Sequence, residues 1–216
     1  MNILIVEGES DKGFFSEICK KLNLNTDIKV GTPKDWDGYN SKEGVFTLLD
    51  TLLLSSGDEG HSDCIAAIVD ADYINHGQGR EKTLKRASEI IQGHGFKPAK
   101  KSNFGYLFEN DEGLPTIGLW IMPTNEHNEG MLEDWIKLTK SETENNLFEK
   151  ATTTISQISE PKFKPHLTSK AEVATWLAWQ KTPGHGFYYL VTEKLLDEEQ
   201  ENYKALCLWL KEVFNH

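Results

Sequence analysis

The sequence has few cysteines, and the three that it has show no pairing pattern. Cys19, Cys64 and Cys207 lie far apart, and none of them belongs to a Cys-x-x-Cys spacing. A disulfide framework and a zinc site of the paired-cysteine kind are therefore not expected. Reduced thiols of this kind are typical of a cytoplasmic protein.

Long uncharged apolar runs are also missing, so we expect no membrane-spanning helix. The opening MNILIVEGES lacks the basic start and the longer apolar stretch of a secretory signal. Of the 216 residues, 38% are hydrophobic, and 6 Trp, 6 Tyr and 10 Phe are among them. This composition excludes disorder of the whole chain and allows one large domain, or a core with a smaller helical addition.

Several familiar catalytic motifs are absent as well. The 7 histidines form no HxxxH or HExxH pattern, and no GxSxG nucleophile elbow occurs. The turn EGES after the first apolar run lacks the spaced glycines of a P-loop or a dinucleotide fingerprint. His127 lies close to Asn125 and Glu129 in a loop, where it either lines a site or faces solvent.

The charge balance is acidic, with 34 Asp and Glu against 23 Lys and Arg, a formal net charge of −11. Strong unaided binding to a phosphate backbone usually depends on a positive surface. Three local groups of basic residues do occur, around residues 82–86, 97–101 and 162–170. These groups are either solvated surface or, with help from a metal ion or a partner, contacts to nucleic acid.

Short apolar runs predict the strands of a sheet. Residues 2–6, 64–69 and 117–122 have the composition of strands buried on both faces, and residues 27–30 form a weaker candidate. Helical patterns separate these runs. Crossover connections, and hence an α/β fold with a mainly parallel sheet flanked by helices, are therefore expected.

Apolar residues at helical spacing predict seven helices. These begin at Ser10 or Asp11 and run to Leu22, then cover residues 42–54, 80–91, 131–138, 141–158, 169–180 and 198–214. We therefore expect an α/β core over residues 1–125. Residues 126–216 are expected to form a C-terminal helical addition packed on that core as one compact unit.

Acidic residues follow two of the predicted strands directly. Glu7 comes after the first strand, and Asp70 and Asp72 come after the strand at 64–69. The carboxyl ends of parallel strands share one edge of a sheet, and residues two apart in an extended chain face the same side. Three clustered carboxylates repel one another, and a hard divalent cation such as Mg²⁺ compensates for this repulsion. Taken singly, each group also fits a plainer interpretation, as a turn with a helix cap or as a strand-end loop.

The motif IVEGESD at residues 5–11, followed by IVDAD at 68–72, resembles the signature of the TOPRIM domain over about residues 1–125. Topoisomerases, DnaG-type primases, RecR-type repair proteins and OLD-family nucleases share that domain. The resemblance implies that Glu7 is a catalytic acid or base, or a metal ligand. It also implies that Asp70 and Asp72 bind Mg²⁺ or Mn²⁺, with Asp11 as an auxiliary acid at the metal.

The chain departs from that pattern at Ile74, where topoisomerases and primases tend to carry a further acid. The departure favours the OLD-like branch, in which a later acid pair helps to bind metal. Glu133 and Asp134 match that pair, although acids at the start of a helix also suit its dipole. In OLD-like nucleases a lysine near the acids neutralises the transition state, and Lys170 or Lys181 is the candidate here, unless both are surface residues.

The segments WIMPTN at 120–125, GMLED at 130–134 and residues 170–181 are also similar to a bacterial family of TOPRIM-like proteins over nearly the whole chain. Our first hypothesis is therefore a Mg²⁺- or Mn²⁺-dependent nuclease or phosphodiesterase. Its substrate would be nucleic acid, DNA more than RNA, and by analogy an ATPase partner in genome or phage defence would direct it. The second hypothesis is a non-catalytic metal- or nucleotide-binding module, and a third is a small-molecule phosphotransferase.

Overall fold

The computed structural model describes residues 2–31, 42–55, 64–99 and 104–214. Six strands and eight α-helices lie in these ranges. In chain order they are β1 Asn2–Val6, α1 Glu9–Lys21, β2 Thr26–Val30, α2 Lys42–Ser55, β3 Ile65–Asp70, α3 Arg80–Gly93, β4 Phe96–Pro98, β5 Tyr106–Asn110, β6 Ile117–Met122, α4 Leu132–Thr139, α5 Asn145–Ser156, α6 Thr168–Ala178, α7 Tyr188–Thr192 and α8 Glu201–Phe214.

The six strands form one sheet in the order β2-β1-β3-β6-β5-β4. The pairs β1–β2, β1–β3 and β3–β6 are parallel, whereas β6–β5 and β5–β4 are antiparallel. The predicted α/β fold with a mainly parallel sheet flanked by helices is confirmed. Since β1, β3 and β6 are adjacent and parallel, their carboxyl ends meet at one edge of the sheet.

Each face of the sheet carries its own hydrophobic cluster. Helices α2 and α3 cover one face, where Phe46, Leu49 and Ile91 pack on inward residues of β1, β3 and β6. Helix α1 and the helices of residues 132–214 cover the other face, and the buried Trp135, Trp176 and Trp209 belong to that cluster. The C-terminal helices therefore share one core with α1 and the sheet.

Gly118 in β6 permits the close packing of α8 on the sheet. A Cβ atom at this position would lie 2.6 Å from a methyl carbon of Val213 and 3.0 Å from the Trp209 ring. Because both neighbours are buried side chains of α8, the helix could not approach a bulkier residue at this distance.

Two elements of the sheet were not predicted, the antiparallel strands β4 and β5. Strand β4 has three residues, of which only Phe96 is buried, and it contains Pro98. A short edge strand of this kind is defined by its hydrogen bonds to a neighbour and not by its own hydrophobic pattern. The predicted helix over 141–158 begins later than expected, because a 3₁₀ turn at Glu142–Glu144 precedes α5.

Within the described residues, no helix has the length and apolar character needed to cross a membrane.

Candidate metal centre

Glu7 links the ends of two neighbouring strands. It follows β1 directly, and its Oε1 atom accepts a 2.8 Å hydrogen bond from the backbone N–H of Asp70 at the end of β3. The carboxylate therefore lies at the shared edge that the sequence predicts. Burial raises the pKa of Glu7 from 4.5 to about 7, partly offset by the Asp70 N–H and by the charge of Lys42.

Asp70 joins this edge to the helical half of the chain. Its Oδ1 atom accepts a 2.9 Å hydrogen bond from the N–H of Leu132, the first residue of α4. Burial, and then the negative charges of Glu7, Glu133 and Asp11, raise the pKa of Asp70 well above its usual value. Four carboxylates from β1, α1, β3 and α4 are therefore close enough to repel one another.

Asp11 belongs to the same group, and it also caps α1. Its Oδ2 atom accepts a 2.9 Å hydrogen bond from the N–H of Gly8, as the third residue of a helix does in a capping box. Burial, followed by repulsion from Glu133, raises the pKa of Asp11 to about 6. The predicted helix start at Ser10 or Asp11 is wrong, because α1 begins at Glu9 after Gly8, and Asp11 acts as the third residue of the helix and not as its first cap.

Glu133 is the most enclosed of the predicted acids, with 4% of its surface exposed. Its Oε1 atom pairs with Lys170 Nζ at 2.8 Å. The other oxygen, Oε2, is buried and has no hydrogen-bond partner among the described residues. A buried carboxylate oxygen without a donor is costly, and a cation would satisfy it.

Lys170 on α6 is the positive charge among these acids. Burial alone would lower its pKa, but the carboxylates of Glu133, Asp70 and Asp11 outweigh that effect and raise it. The other candidate lysine, Lys181, is exposed beyond the end of α6. The structure thus brings Lys170, and not Lys181, to the acids.

Asp72 occupies a different position from the one expected of an extended chain. Strand β3 ends at Asp70, and Asp72 has a left-handed backbone with φ +58° while it exchanges two backbone hydrogen bonds with Gly130. Its carboxylate forms a 2.6 Å ion pair with Lys42 Nζ. The negative charges of Asp72 and Asp11 contribute to raising the pKa of Glu7, after the larger effect of burial.

Lys42 is a site residue that the sequence analysis missed. It begins α2, its side chain is only 12% exposed, and it also donates to the carbonyl of Ala71 and to Thr83 Oγ1. Nothing in the sequence near Lys42 marks it. Only the packing of α2 beside β1 and β3 brings this lysine to Asp72 and Glu7.

Both carboxylate oxygens of Asp134 accept hydrogen bonds from residues around the site. Oδ2 accepts from the N–H of Met131 and the hydroxyl of Tyr73, both at 2.9 Å, and Oδ1 accepts from Ser169 Oγ at 2.5 Å. These bonds tie the start of α4 to the loop after β3 and to α6. Gly130 makes room for them, since with φ +126° a Cβ there would lie 3.0 Å from the Asp134 carboxylate.

We expect Asp134→Ala to destabilise the protein by about 2–4 kcal/mol, because three hydrogen bonds are lost, one of them the capping-box bond from the N–H of Met131. Chemical denaturation measures this, and Tyr73→Phe, which removes one of the three bonds, serves as the milder companion variant. Mn²⁺ affinity of the folded variant should change less than threefold. A folded Asp134→Ala protein without Mn²⁺ affinity would contradict this assignment and make Asp134 a ligand.

His127 and Ile74 lie beside the site. His127 is exposed, and its Nδ1 atom lies 2.7 Å from Thr124 Oγ1. Ile74, the departure from the TOPRIM-like pattern that the motif resembles, is 57% exposed and donates its backbone N–H to Glu129 Oε2. A carboxylate thus lies next to position 74 although the residue itself is apolar.

The donor set fits a hard divalent cation of the Mg²⁺ type. Every candidate ligand is a carboxylate, and a cavity of about 10 Å³, room for one small centre, opens beside Glu7, Asp11 and Asp70, while Glu133 lies outside its lining. Its lining consists of Glu7, Asp11, Phe15, Ile68, Val69, Asp70, Met122 and Leu132. In the described ranges, no group of three or more His, Cys, Asp or Glu side chains is arranged so that it could hold a metal ion. Mg²⁺ does not need such a group, since one or two carboxylates and several waters hold it.

Comparison with known proteins gives the family. A family model described as Protein of unknown function (DUF3226) matches residues 1–215. The chain belongs to this family. No curated protein matches this member of DUF3226, and no solved structure matches it either.

Proposed function

We propose that this DUF3226 protein is a metal-dependent phosphodiester hydrolase of TOPRIM type that acts on nucleic acid, with DNA preferred to RNA. The observation that carries the proposal is the convergence of Glu7, Asp11, Asp70 and Glu133 at one sheet edge beside Lys170. Buried like charges destabilise a fold, so such a cluster is characteristic of a functional site. The motif resemblance supports nucleic acid as the substrate class, and the cluster of four carboxylates supports metal-dependent hydrolysis as the chemistry.

We assign each residue a catalytic role from its surroundings. Asp70 and the unpartnered Oε2 of Glu133 are the groups that would hold the cation, and Mg²⁺ or Mn²⁺ supplies Lewis-acid stabilisation of phosphate oxygens when bound. Glu7, with its pKa near 7, accepts the proton of the attacking water. Lys170 Nζ balances the negative charge that develops on the phosphate oxygens.

The net charge of the chain indicates that a partner delivers the substrate. A net charge of −11 opposes autonomous capture of a long polyanion. We therefore propose that a partner protein, by the OLD analogy an ATPase, delivers the nucleic acid in genome or phage defence.

A cleavage assay tests this function. Labelled single- and double-stranded DNA and RNA are incubated with Mn²⁺ or Mg²⁺ and either wild-type protein, Glu7→Gln or Glu9→Gln. Glu9 is the matched control because it is exposed and lies only two residues away on α1. We expect Glu7→Gln to lower the cleavage rate by about 10²–10⁴-fold, the usual effect of a general base, and Glu9→Gln to leave it within twofold. Equal rates for wild type and Glu7→Gln would contradict the assignment.

The second candidate function is a non-catalytic metal-binding module. Ile74 in place of an acid and the Lys42–Asp72 ion pair favour it, since both lower the number of carboxylates free to hold ions. Mn²⁺ binding without cleavage of any of the four nucleic acids, also in the presence of a partner ATPase, would establish this alternative over the first.

A further inference from the structure

A groove opens beside the acidic cluster, at the start of α3. Its volume is about 440 Å³, and its lining consists of Ile74, Gln78, Gly79, Arg80, Glu81, Lys82, Lys85 and Asn128. We call it the α3 groove. None of these residues belongs to the metal centre described above.

Hydrogen bonds join the α3 groove to the metal centre. The N–H of Gly79 donates to the carbonyl of Ala71, between the two aspartates, whereas the bond from the N–H of Arg80 to the carbonyl of Asn128 lies within the groove lining. From the other side, Lys42 Nζ contacts both Thr83 on α3 and Asp72. The start of α3, which lines the groove, therefore packs against the segment that carries Asp72.

The polar lining of the α3 groove is cationic on balance. Lys82 and Lys85 lie one helical turn apart, so their side chains are neighbours on the helix surface. Lys82 donates to the carbonyl of Gly77 at 2.7 Å, which leaves two of its three N–H bonds for a ligand. Glu81 is the one acidic residue among the lining residues. Arg80 is buried, and its guanidinium is held by the carbonyls of Ile121, Thr124 and His127, so it stiffens the wall.

The remaining lining suits a sugar-phosphate chain better than a single phosphate. Ile74 is 57% exposed and presents an apolar surface, while Gln78 and Asn128 offer polar side chains. In a chain with net charge −11, Lys82 and Lys85 belong to one of the three local groups of basic residues. Charge complementarity therefore favours a polyanion that spans both lysines.

We propose that the α3 groove binds the sugar-phosphate backbone of a nucleic-acid strand next to the bond cleaved at the metal centre. This inference rests on the proposed function, and it adds the place where the substrate lies and the residues that hold it. Lys82 and Lys85 each neutralise one backbone phosphate, and Ile74 packs against the sugar between them.

Fluorescence anisotropy with a labelled single-stranded DNA tests the proposal, with Ca²⁺ in place of Mn²⁺. The test variant is Lys82→Gln/Lys85→Gln. The control is Lys20→Gln/Lys204→Gln, which makes the same charge change at two exposed lysines of α1 and α8, on the other face of the sheet. We expect the test variant to bind about tenfold more weakly than wild type. Its salt slope, log K against log [salt], should be smaller by about 1.4, or 0.7 for each lost phosphate contact.

Three results would overturn the inference. They are an equal loss of affinity in the control variant, no binding by wild type at low salt, and full displacement of the DNA by inorganic phosphate at equal phosphate concentration. The last result would make the groove a single-phosphate site. Hydrogen exchange, slowed by DNA over residues 74–85 of the wild-type protein, provides a readout that needs no variant.

The failure of this inference is distinguishable from the failure of the proposed function. DNA binding that depends on Lys82 and Lys85, without cleavage, would support the proposed α3 groove and contradict the proposed hydrolase function. Cleavage that depends on Glu7 but not on Lys82 and Lys85 would support the hydrolase function and contradict the proposed role of the α3 groove. Mn²⁺ binding should be unchanged in the groove variant, because neither lysine contacts an acid of the metal centre.

Discussion

Asp70→Asn is expected to stabilise the metal-free protein. Asp70 is close to Glu7, Glu133 and Asp11, and its raised pKa shows that ionising it costs free energy. Asparagine keeps the shape and can still accept the hydrogen bond from Leu132, but it carries no charge. We expect a gain of about 1–3 kcal/mol, the range for neutralising buried groups without a full set of partners.

Thermal unfolding in EDTA measures this gain, and each kcal/mol corresponds to roughly 2–4 °C for a chain of this size. Asp27→Asn is the matched control, since Asp27 lies in the neighbouring strand β2 but is exposed and paired with Lys29. That variant should leave the midpoint within about 1 °C. A lower midpoint for Asp70→Asn would contradict the account, because it would make Asp70 a structural acid.

The stability of the metal-free protein should fall as the pH rises from 5 to 8, and saturating Mn²⁺ should reverse that trend. The pKa of Glu7 is raised to about 7 and that of Asp11 to about 6. A raised pKa means that the folded protein binds more protons than the unfolded chain between the ordinary and the raised value. The cost of the buried charge is therefore absent below pH 4.5 and complete above pH 7, at up to about 3 kcal/mol for Glu7.

Mn²⁺ reverses the trend because it competes with those protons. Its ligands must be ionised, so its affinity rises with pH, and an ion at 100 times its Kd adds about 2.7 kcal/mol of stability. Thermal unfolding at pH 5, 6.5 and 8, with EDTA or with Mn²⁺, measures both slopes. Asp70→Asn provides the control, in which the same Mn²⁺ concentration should change the pH profile less than in the wild-type protein, because its affinity for the ion is lower. Parallel profiles with and without Mn²⁺ in the wild-type protein would contradict the account.

Much of the fold followed from short-range sequence signals. The apolar runs that become β1, β3 and β6 are buried on both faces, so their composition alone identifies them. Their parallel arrangement followed from the helices between them. Strands β4 and β5 were not predicted because β5 forms by pairing with β6 and β4 by pairing with β5, and no local pattern encodes such pairing.

The site was predictable where an acid directly ends a strand. Glu7 and Asp70 needed only the rule that the carboxyl ends of parallel strands share an edge. Asp72 lies at a chain reversal with φ +58°, so the alternation of extended chain did not describe its direction. The two lysines depend on long-range packing, Lys42 through α2 and Lys170 through α6; the resemblance offered Lys170 only as an alternative to Lys181, and Lys42 was not predicted.

The separate positions of Glu133 and Asp134 also needed the structure. Neighbours on a helix point about 100° apart, so two adjacent acids rarely serve one ion equally. Here Glu133 turns to the cluster, and Asp134 turns to Tyr73 and Ser169. The charge pattern alone could not distinguish the two.

The most direct test is a calorimetric titration of Mn²⁺ into the metal-free wild-type protein and into Asp70→Asn at pH 7.5. Our account predicts saturable binding to wild type with release of protons, since Glu7, Asp11 and Asp70 have raised pKa values. It also predicts at least about a tenfold loss of affinity in the folded Asp70→Asn protein, in the range for a perturbed ligand set. Equal binding by both proteins, or none by wild type, would contradict a divalent-cation site at this edge of the sheet.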